Sequence, residues 1–594
     1  MTTENTPAEQ AQSPAGRWVG GLWTTGEAAE NVPPAISAEQ ARTARAPANI
    51  GLKIPFRAEW SIYAGLVLIA LAMRLYDLGG RAVHHDESLH GYFAYQLFIG
   101  NGYDHNPLMH GMFQFYSIAT AFFLVGDSDF SLRLAMAVFG TGLVLVPLLL
   151  RPRIGQVGAL LAALMLAFSP SMLYFSRFAR NDIFMAVFAL ALVGVMWRYI
   201  DERKHRWLYI GAGLVAIGFT TKETMYIVVA LLMAYLGTQV WREFRDWLYA
   251  RRTLSEFSPT ASFLVLLGTI VLPLLAAGAA IFQSTLGVTL AAEDGLPGVP
   301  TGSPNGAGWP IAIGISAALL AASLLLGWYW KRRVFLGAWA IFATVFIMLF
   351  ASFGSNPGGV GSGAWQSFGY WLAQQDVARG NQPWYYYFTL SAIYEFLPFA
   401  IGGAAAIYYG FKSGFRPWVL ILLIAAGMAV LANADLSFER GIVQGTEQDV
   451  STIVGKLALL VVYGSAIAIP FVLRTSKINR FLIFWTIGTF IAYTQAGEKM
   501  PWLLVNVSLP AIILAAKTLN DIVMSINWSN AIRRRAAFAL VGVPIFYLLL
   551  WKIVFHDLGT GGRQFASTWA ILAGLGLLLL GLQVLFSRIG RSQA

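Results

Sequence analysis

The chain has 594 residues, of which 57% are hydrophobic and only 12% are charged, and its formal net charge at pH 7 is +11. Repeated apolar runs of about twenty residues exclude a water-soluble globular protein and predict an all-α, polytopic integral membrane protein. The absence of cysteine excludes disulfides and thiolate chemistry. In a membrane protein an excess of Lys and Arg marks cytoplasmic loops, so the charge does not predict a nucleic-acid partner.

Residues 1–56 are rich in Ala, Thr, Glu, Gln and Pro and show no hydrophobic periodicity. Such a segment buries too little apolar surface to offset the entropy of ordering, which predicts a disordered tail. No apolar core follows the first residues, so a cleavable signal peptide is not expected. Basic residues stand just before the first predicted span, Trp60 to Leu78, and place the tail in the cytoplasm.

The segment from Arg81 to His110 holds five of the seven histidines of the chain, with Asp86, Glu87 and Asp104 among them. The chain has few charges elsewhere, and this cluster directly follows a hydrophobic span. A concentration of ionisable groups in that position is more typical of a functional site than of a solvated loop. We therefore place the candidate site in this loop.

The segment Gly111 to Gly126 decides the predicted topology, because it is apolar but short for a membrane span. If it does not cross, the basic loops that follow all fall on the side of the tail, as the positive-inside rule requires. We therefore predict a juxtamembrane helix here, about sixteen spans within residues 57–594, and both termini in the cytoplasm. The two long extracytoplasmic loops are then residues 79–130 and 354–384.

The second long loop contains an aromatic stripe. Trp365, Phe368, Trp371 and Leu372 stand at helical spacing and predict an amphipathic helix that lies in the outer interface. Such a stripe is typical of a membrane anchor, and a cover over the site is the alternative.

Further ionisable residues fall on the same outer side under this topology. They stand at turns between apolar runs and are Arg177, Arg180, Asp182, Lys222, Glu223, Glu498 and Lys499. Glu395 instead lies within a predicted span, where a carboxylate is costly and is a functional candidate by default. Carboxylates beside cations suit sugar transfer from a lipid phosphate, because a base accepts the proton of the acceptor hydroxyl while cations stabilise the departing phosphate.

These segments, in this order, resemble the membrane glycosyltransferases of the C-type fold, in particular the protein O-mannosyltransferase and aminoarabinose transferase branch. The first outer loop opens with Asp86-Glu87, and NPLMHGMFQFYSIATAFFLVGDSDFSLRLAMAVFG resembles that branch's juxtamembrane helix followed by a span carrying Arg-Leu. SRFARNDIFMAVFALAL, GFTTKETMYI and GEKMPWLLVNVSLPAIILA resemble its arginine-aspartate, lysine and late Lys-x-Pro elements. The chain is most similar to a prokaryotic branch labelled as associated with lipid-linked sugar flipping.

The resemblance implies a glycosyltransferase that moves a sugar from a polyprenyl-phosphate donor to a protein or glycolipid acceptor at the extracytoplasmic face of the cell membrane. It implies Asp86 as the general base or acceptor-orienting carboxylate, with Glu87 in support. It also implies that Arg177 or Arg180, Lys222 and Lys499 hold the donor phosphate, and that Asp182 holds an arginine or binds the sugar.

Several of these residues have structural alternatives. Glu87 would equally form an ion pair with Arg81, and Arg177 and Arg180 would equally anchor the chain at the interface. Glu395, which we also include among the substrate-binding candidates, would equally be a protonated, hydrogen-bonded helix residue beside a bend at Pro398.

The histidines leave two interpretations open. Asp86 and His90 are four residues apart and would share a helix face, so with His85 and a distant His105 or His110 they would bind Zn or Mn. The spacing matches no known metal signature. In the second interpretation His85 and His90 hydrogen-bond sugar hydroxyls, and no cofactor is needed.

The main rival function is a transporter or flippase of lipid-linked sugars, which would also need a charged cavity between helices. A transporter favours charges near the midplane and an inverted repeat. The sequence places the charges mostly at one face and shows no clear repeat. A membrane metalloenzyme is a third alternative and depends on the histidine cluster.

Overall fold

The computed structural model describes residues 54–293, 296–375, 382–383, 385–433 and 450–525, together with the backbone of 17–19 and 22–24. Residues Lys53–Ser525 form one unit, and Met1–Leu52 with Ile526–Ala594 form another. In the second unit Arg17–Val19 (β1) pairs antiparallel with Leu22–Thr24 (β2), a pairing that the composition did not predict. The rest of the predicted tail and the last predicted spans lie outside the described residues.

The first half of Lys53–Ser525 is a series of helices joined by short turns. In chain order they are α1 (Phe56–Leu75), α2 (His85–Phe98), α3 (Phe113–Val125), α4 (Asp129–Gly142), α5 (Gln156–Phe168), α6 (Pro170–Phe175), α7 (Asp182–Glu202), α8 (Arg206–Phe219) and α9 (Thr224–Leu248). A 3-10 helix, Leu143–Leu150, and the short helix Arg151–Ile154 continue α4. Pro147 lies in the 3-10 stretch and lacks the N–H that regular helical bonding needs.

The second half contains longer helices with breaks. They are α10 (Pro259–Val271), α11 (Gly308–Phe350), α12 (Ser367–Ala373), α13 (Tyr386–Tyr394), α14 (Phe396–Lys412), α15 (Arg416–Asn433), α16 (Val450–Val472), α17 (Lys477–Gln495) and α18 (Leu504–Ser525). A 3-10 helix, Leu272–Phe282, and the short helix Gln283–Leu286 continue α10. The non-helical dihedrals of Lys331 divide α11 into two helices. Glu395 separates α13 from α14, which are bent by 107°.

The all-α, multi-pass architecture agrees with the prediction, whereas the described residues do not confirm the number of about sixteen spans. Within the described residues eight helices are long and apolar enough to cross a membrane, or nine if α13 and α14 form one span. The difference has two sources in the described part of the chain: the divided α11 counts once, and α3, α5, α8 and α15 are apolar but short. At a rise of about 1.5 Å per residue, the 13-residue α3 is too short to cross hydrocarbon about 30 Å thick.

Helix α18 is the central element that positions the site. Nearly its whole apolar window is buried, and it packs against α5, α14 and α17. Asn520 near its end accepts a hydrogen bond from the N–H of Gly158, 3.1 Å away. Bonds between a polar side chain and a neighbouring backbone hold helices together where lipid supplies no hydrophobic driving force.

The aromatic stripe of residues 354–384 packs against protein. Trp365 lies in the π-helical turn Ser362–Gln366, is 7% exposed, and donates its indole N–H to the carbonyl of Leu290 at 3.0 Å. Phe368, at the second position of α12, stacks on Tyr226 with ring centroids 4.5 Å apart. These two side chains therefore pack against protein, Phe368 against a helix of the bundle and Trp365 against the loop that follows Gln283–Leu286.

Candidate active site

Glu87 is the centre of a buried hydrogen-bond network at one end of the bundle. Its side chain has no exposed surface, and Arg133 of α4 donates to both carboxylate oxygens at 2.8 Å. Glu87 also accepts from Arg81 and from the backbone N–H groups of Ala179 and His84. The predicted pairing with Arg81 is therefore present, but Arg133 is the closer partner.

Arg133 also pins the start of the first long loop. Its remaining donors reach the carbonyls of Leu78, Arg81 and Ala82 at 3.0 to 3.2 Å. Burial by itself raises the pKa of Glu87, but the bonds from Arg133 and the two backbone N–H groups, with the charge of Arg133, bring that pKa below its ordinary value. Glu87 is thus held ionised, and its geometry leaves no oxygen exposed to a substrate.

Asp86 lies one residue earlier in the chain, and its side chain points in a different direction from that of Glu87. Arg180 donates to its Oδ2 at 2.9 Å, and the Asp86 side chain keeps 22% of its surface exposed. The guanidinium of Arg180 lies over the ring of Trp502, 4.1 Å from its centroid. Within the described residues Oδ1 of Asp86 has no hydrogen-bond partner, so this accessible oxygen can meet an acceptor.

Asp182 and Lys222 form a second ion pair at the same end of the bundle. Lys222 Nζ lies 3.0 Å from Asp182 Oδ1, and the two side chains are 4% and 0% exposed. Asn506 of α18 donates to the same oxygen at 3.3 Å. Lys222 is therefore neutralised by a buried carboxylate, which the sequence did not indicate for a residue expected to hold phosphate.

Lys499 has a different environment. It is 5% exposed, and its ammonium donates to the carbonyl of Ala496 at 3.1 Å. No carboxylate lies within ion-pairing distance of it in the described part of the chain. Burial lowers the pKa of Lys499, because desolvation disfavours the charged form. A buried cation without a counter-ion is suited to receive an anion.

Two other predicted phosphate or substrate contacts have structural partners. Arg177 donates to the carbonyls of Tyr76 and Asp77, at the end of α1, at 2.6 and 3.2 Å. Glu395 lies at the break between α13 and α14 rather than inside one continuous helix, and accepts bonds from Ser169 and Ser171 at the start of α6. Glu395 is 2% exposed and hydrogen-bonded beside a bend, as its structural alternative has it, but it caps α6 and is not itself a residue inside a helix.

The predicted histidine contacts separate in the structure. His85 is exposed in the first turn of α2, whereas His90 is 2% exposed and lies against Phe115, 5.6 Å between ring centroids. Burial, with the charges of Arg180, His110 and Lys222, lowers the pKa of His90 well below its ordinary value. Among the described residues no group of three or more His, Cys, Asp or Glu side chains is arranged to hold a metal ion.

The structure adds a pair that the sequence did not single out. His110 Nδ1 lies 2.7 Å from Glu223 Oε2, and both side chains are largely buried. His105 joins this group, because its Nε2 donates to the carbonyl of His110 at 3.1 Å and its Nδ1 lies 2.6 Å from Ser362 Oγ. From the sequence, Glu223 had no role beyond a place among the outer ionisable residues, since nothing local indicates that it meets a residue 113 positions away.

Buried neutral histidines predict that the protein loses stability as pH falls. Burial lowers the pKa of His105 from 6.5 to about 4, so the unfolded chain takes up a proton below pH 6.5 that the folded chain refuses. The free energy of unfolding then falls by up to about 1.4 kcal/mol per pH unit between pH 6.5 and 4 for this group. His90 and Glu87 also lower the free energy of unfolding as pH falls. Glu87 does so only at pH values below the ordinary pKa of a glutamate.

Thermal unfolding in detergent between pH 5 and 8 measures this dependence. We expect His105→Gln to flatten the profile, while His205→Gln, at an exposed turn, leaves it unchanged. Equal slopes in all three proteins would contradict the assignment.

The fold and this arrangement define an all-α polytopic membrane protein with an ionisable site at one end of its helix bundle. Residues 109–281 match the model of the dolichyl-phosphate-mannose-protein mannosyltransferase family. Over those residues the match confirms the resemblance to the membrane glycosyltransferases of the C-type fold. No curated protein sequence matches the chain.

Solved structures give weaker likenesses. The apo Archaeoglobus fulgidus oligosaccharyltransferase is 14% identical, with a TM-score of 0.40 over 87% of this chain and 54% of that one. The same archaeal enzyme, AglB, in complex with an inhibitory peptide and a dolichol-phosphate, is 13% identical, with a TM-score of 0.37 over 89% of this chain and 55% of that one. ArnT from Cupriavidus metallidurans, bound to undecaprenyl phosphate, is 15% identical, with a TM-score of 0.29 over 79% of each chain. The chain spans about half the length of the oligosaccharyltransferase, and scores this low say nothing about the site's chemistry.

Proposed function

We propose that the protein transfers a sugar from a polyprenyl-phosphate donor to a hydroxyl of a protein or glycolipid acceptor. The observation that carries the proposal is the buried ammonium of Lys499, for which no described residue supplies a counter-ion, beside a large apolar cavity. The reaction takes place at the extracytoplasmic face of the plasma membrane, and both termini lie in the cytoplasm. The positive-inside rule supports this orientation, because it places the basic loops at the other end of the helices in the cytoplasm.

The cavity has a volume of about 690 Å³ and lies among α13 to α18. Its walls are almost entirely apolar, and Phe388, Ser391 and Thr494 line it near the Lys499 turn. The hydroxyl of Tyr387, next to Phe388, accepts from the N–H of Met500 and donates to its carbonyl, both at 3.2 Å. This joins the cavity wall directly to the residue after Lys499.

A polyprenyl phosphate has the two chemical parts that this region accommodates. The isoprenoid chain fills an apolar cavity open to lipid, and the phosphate replaces the missing counter-ion of Lys499. Arg180 lies close to the same turn, because its guanidinium stacks on Trp502. The matching family is named for a dolichyl-phosphate sugar, which is the donor class proposed here.

The reaction then follows from the placement of Asp86. Its free Oδ1 orients the acceptor hydroxyl and takes its proton as the acceptor oxygen attacks the anomeric carbon. The bond between that carbon and the phosphate oxygen breaks, and the electron pair leaves with the polyprenyl phosphate. Arg180 holds Asp86 in place through Oδ2 and, with Lys499, stabilises the departing charge.

The purified protein in lipid vesicles tests the proposal directly. We expect it to release free polyprenyl phosphate from labelled polyprenyl-phosphate hexose or pentose in the presence of a membrane extract as acceptor source. Labelled lipid that crosses the bilayer without loss of its sugar would instead support the flippase alternative.

Lys499→Met is expected to weaken donor binding. Loss of a charge-assisted bond to phosphate costs about 1.5 to 3 kcal/mol, which corresponds to a roughly 10- to 150-fold rise in KM for the donor. Lys412→Met, at an exposed lysine of α14, is the matched control and should keep the native KM. An unchanged KM in Lys499→Met would remove this lysine from the donor site.

A further inference from the structure

His110 has a backbone conformation that a histidine rarely adopts. Its φ is +65° and its ψ is −158°, a combination found almost entirely in glycine. Holding another residue there costs about 1 to 3 kcal/mol, and such strain is found mainly at functional sites. Glycine would fit this position without strain, so the imidazole itself needs an explanation.

The neighbouring turn enforces the conformation. The N–H groups of Gly111 and Phe113 donate to the carbonyls of Thr221 and Thr220 at 3.2 and 2.8 Å. A Cβ at Gly111 would lie 2.2 Å from the Thr220 carbonyl oxygen, so only glycine permits this approach. The backbone after His110 is therefore fixed against the turn that carries Glu223.

The turn fixes the imidazole as well. Nδ1 of His110 donates to the buried carboxylate of Glu223 at 2.7 Å, which sets the orientation of the ring. The His110 side chain is 12% exposed, and its Nε2 has no hydrogen bond to any described residue and is not enclosed. A carboxylate-held imidazole with an accessible Nε2 is the arrangement of a proton-transfer group.

The same turn connects His110 to the rest of the site. Lys222 pairs with Asp182, and the carbonyl of Thr221 accepts from Asn181, the neighbour of Arg180, at 2.7 Å. Asn181 lies between Arg180 and Asp182 in the chain, so this bond and the Lys222–Asp182 pair join the turn of Glu223 to the residues beside Arg180. The titratable groups facing His110 are therefore Glu223 and Lys222 from the turn, His105 from its own loop, and His90 and Arg180 from the adjoining elements.

We propose that His110, oriented by Glu223, donates a proton from Nε2 to the polyprenyl phosphate as it departs. The inference rests on the proposed function and adds a second proton-transfer group to it. The departing phosphate monoester gains negative charge, which a proton from a neighbouring group neutralises.

The step balances over one turnover. Asp86 takes the proton of the acceptor hydroxyl, the sugar moves from phosphate oxygen to acceptor oxygen, and the Nε2 proton of His110 goes to the phosphate. Asp86 then gives its proton to water, and His110 takes one up from water. Glu223 stays ionised throughout and stabilises the imidazolium.

His110→Gly is the decisive variant, because glycine suits the backbone and leaves a space for free imidazole. We expect kcat for polyprenyl phosphate release to fall by about 100-fold or more, within the range for loss of general acid–base catalysis, with little change in donor KM. Added imidazole should restore turnover and pair with Glu223.

Ala250→Gly is the matched control, because Ala250 has a φ of +52° and is exposed. It should keep native kcat. Glu223→Gln should lower kcat with the imidazole still present, which separates orientation of the ring from its loss. Thermal unfolding of each variant confirms that folded protein is compared.

Three outcomes would count against the inference. A kcat in His110→Gly within threefold of native would overturn it, and so would a loss that imidazole does not recover. If folded native protein and Ala250→Gly both fail to consume any donor, the proposed function falls and this inference falls with it. If the native protein consumes donor and His110→Gly does so as well, the role of His110 is overturned and the proposed function stands.

Discussion

Asp86→Asn should abolish sugar transfer while the protein stays folded. The amide nearly preserves the shape of the carboxylate and can still accept one bond from Arg180, but it cannot take the proton of the acceptor hydroxyl. Loss of a general base lowers the rate by about 10²- to 10⁴-fold. Release of polyprenyl phosphate from a labelled donor measures the loss, with donor KM determined in parallel.

Asp77→Asn is the matched control in the same loop. Asp77 lies beyond α1 at a φ of +48°, which asparagine tolerates, and its substitution changes the same charge. We expect native turnover from it. Full activity in Asp86→Asn would exclude Asp86 from the chemistry, and an equal loss in both variants would indicate that net charge in the loop, rather than a base, controls the rate.

Arg133→Met should be the most destabilising single change at the site. The Arg133 side chain is 1% exposed and holds both oxygens of Glu87 and three loop carbonyls. Removing it leaves a buried carboxylate without its main partner, a defect that costs about 3 to 5 kcal/mol. Unfolding in detergent measures the loss, and the first long loop should become sensitive to protease at lower temperature.

A double variant separates the ion pair from general packing. Arg133→Met with Glu87→Gln removes the uncompensated charge, so it should recover much of the stability that Arg133→Met loses. Arg206→Met, which disrupts an exposed pair with Glu202, should have little effect. If the double variant is no more stable than Arg133→Met, packing and the three carbonyl bonds account for the loss, and the ion pair does not.

We expect transfer and stability to depend on different residues of this loop. Asp86 and Glu87 are adjacent in sequence, yet one has an accessible oxygen and the other has none. The helix start at His85 explains this, because successive residues of a helix point in directions about 100° apart. One carboxylate therefore faces the site, and the other faces Arg133.

Local patterns in the sequence were sufficient for the class of protein. Apolar runs predicted a helical, multi-pass membrane protein, and the order of the Asp-Glu, Arg-Asn-Asp, Lys-Glu and Lys-Met-Pro segments supported the resemblance that the match to residues 109–281 confirms. The predicted number of spans is not confirmed, because hydropathy does not distinguish a short or broken apolar helix from one that crosses, and the last predicted spans lie outside the described residues.

Only the tertiary structure decided which charged groups are paired. Lys222 and Lys499 look alike in sequence, but Asp182 neutralises the first and no described carboxylate neutralises the second. His110 and Glu223 become partners through backbone contacts between two distant turns. Hydropathy and helical spacing depend on near neighbours along the chain, and the sequence determines those directly. Ion pairing and desolvation depend on distances across the fold, so they were set only when the helices packed.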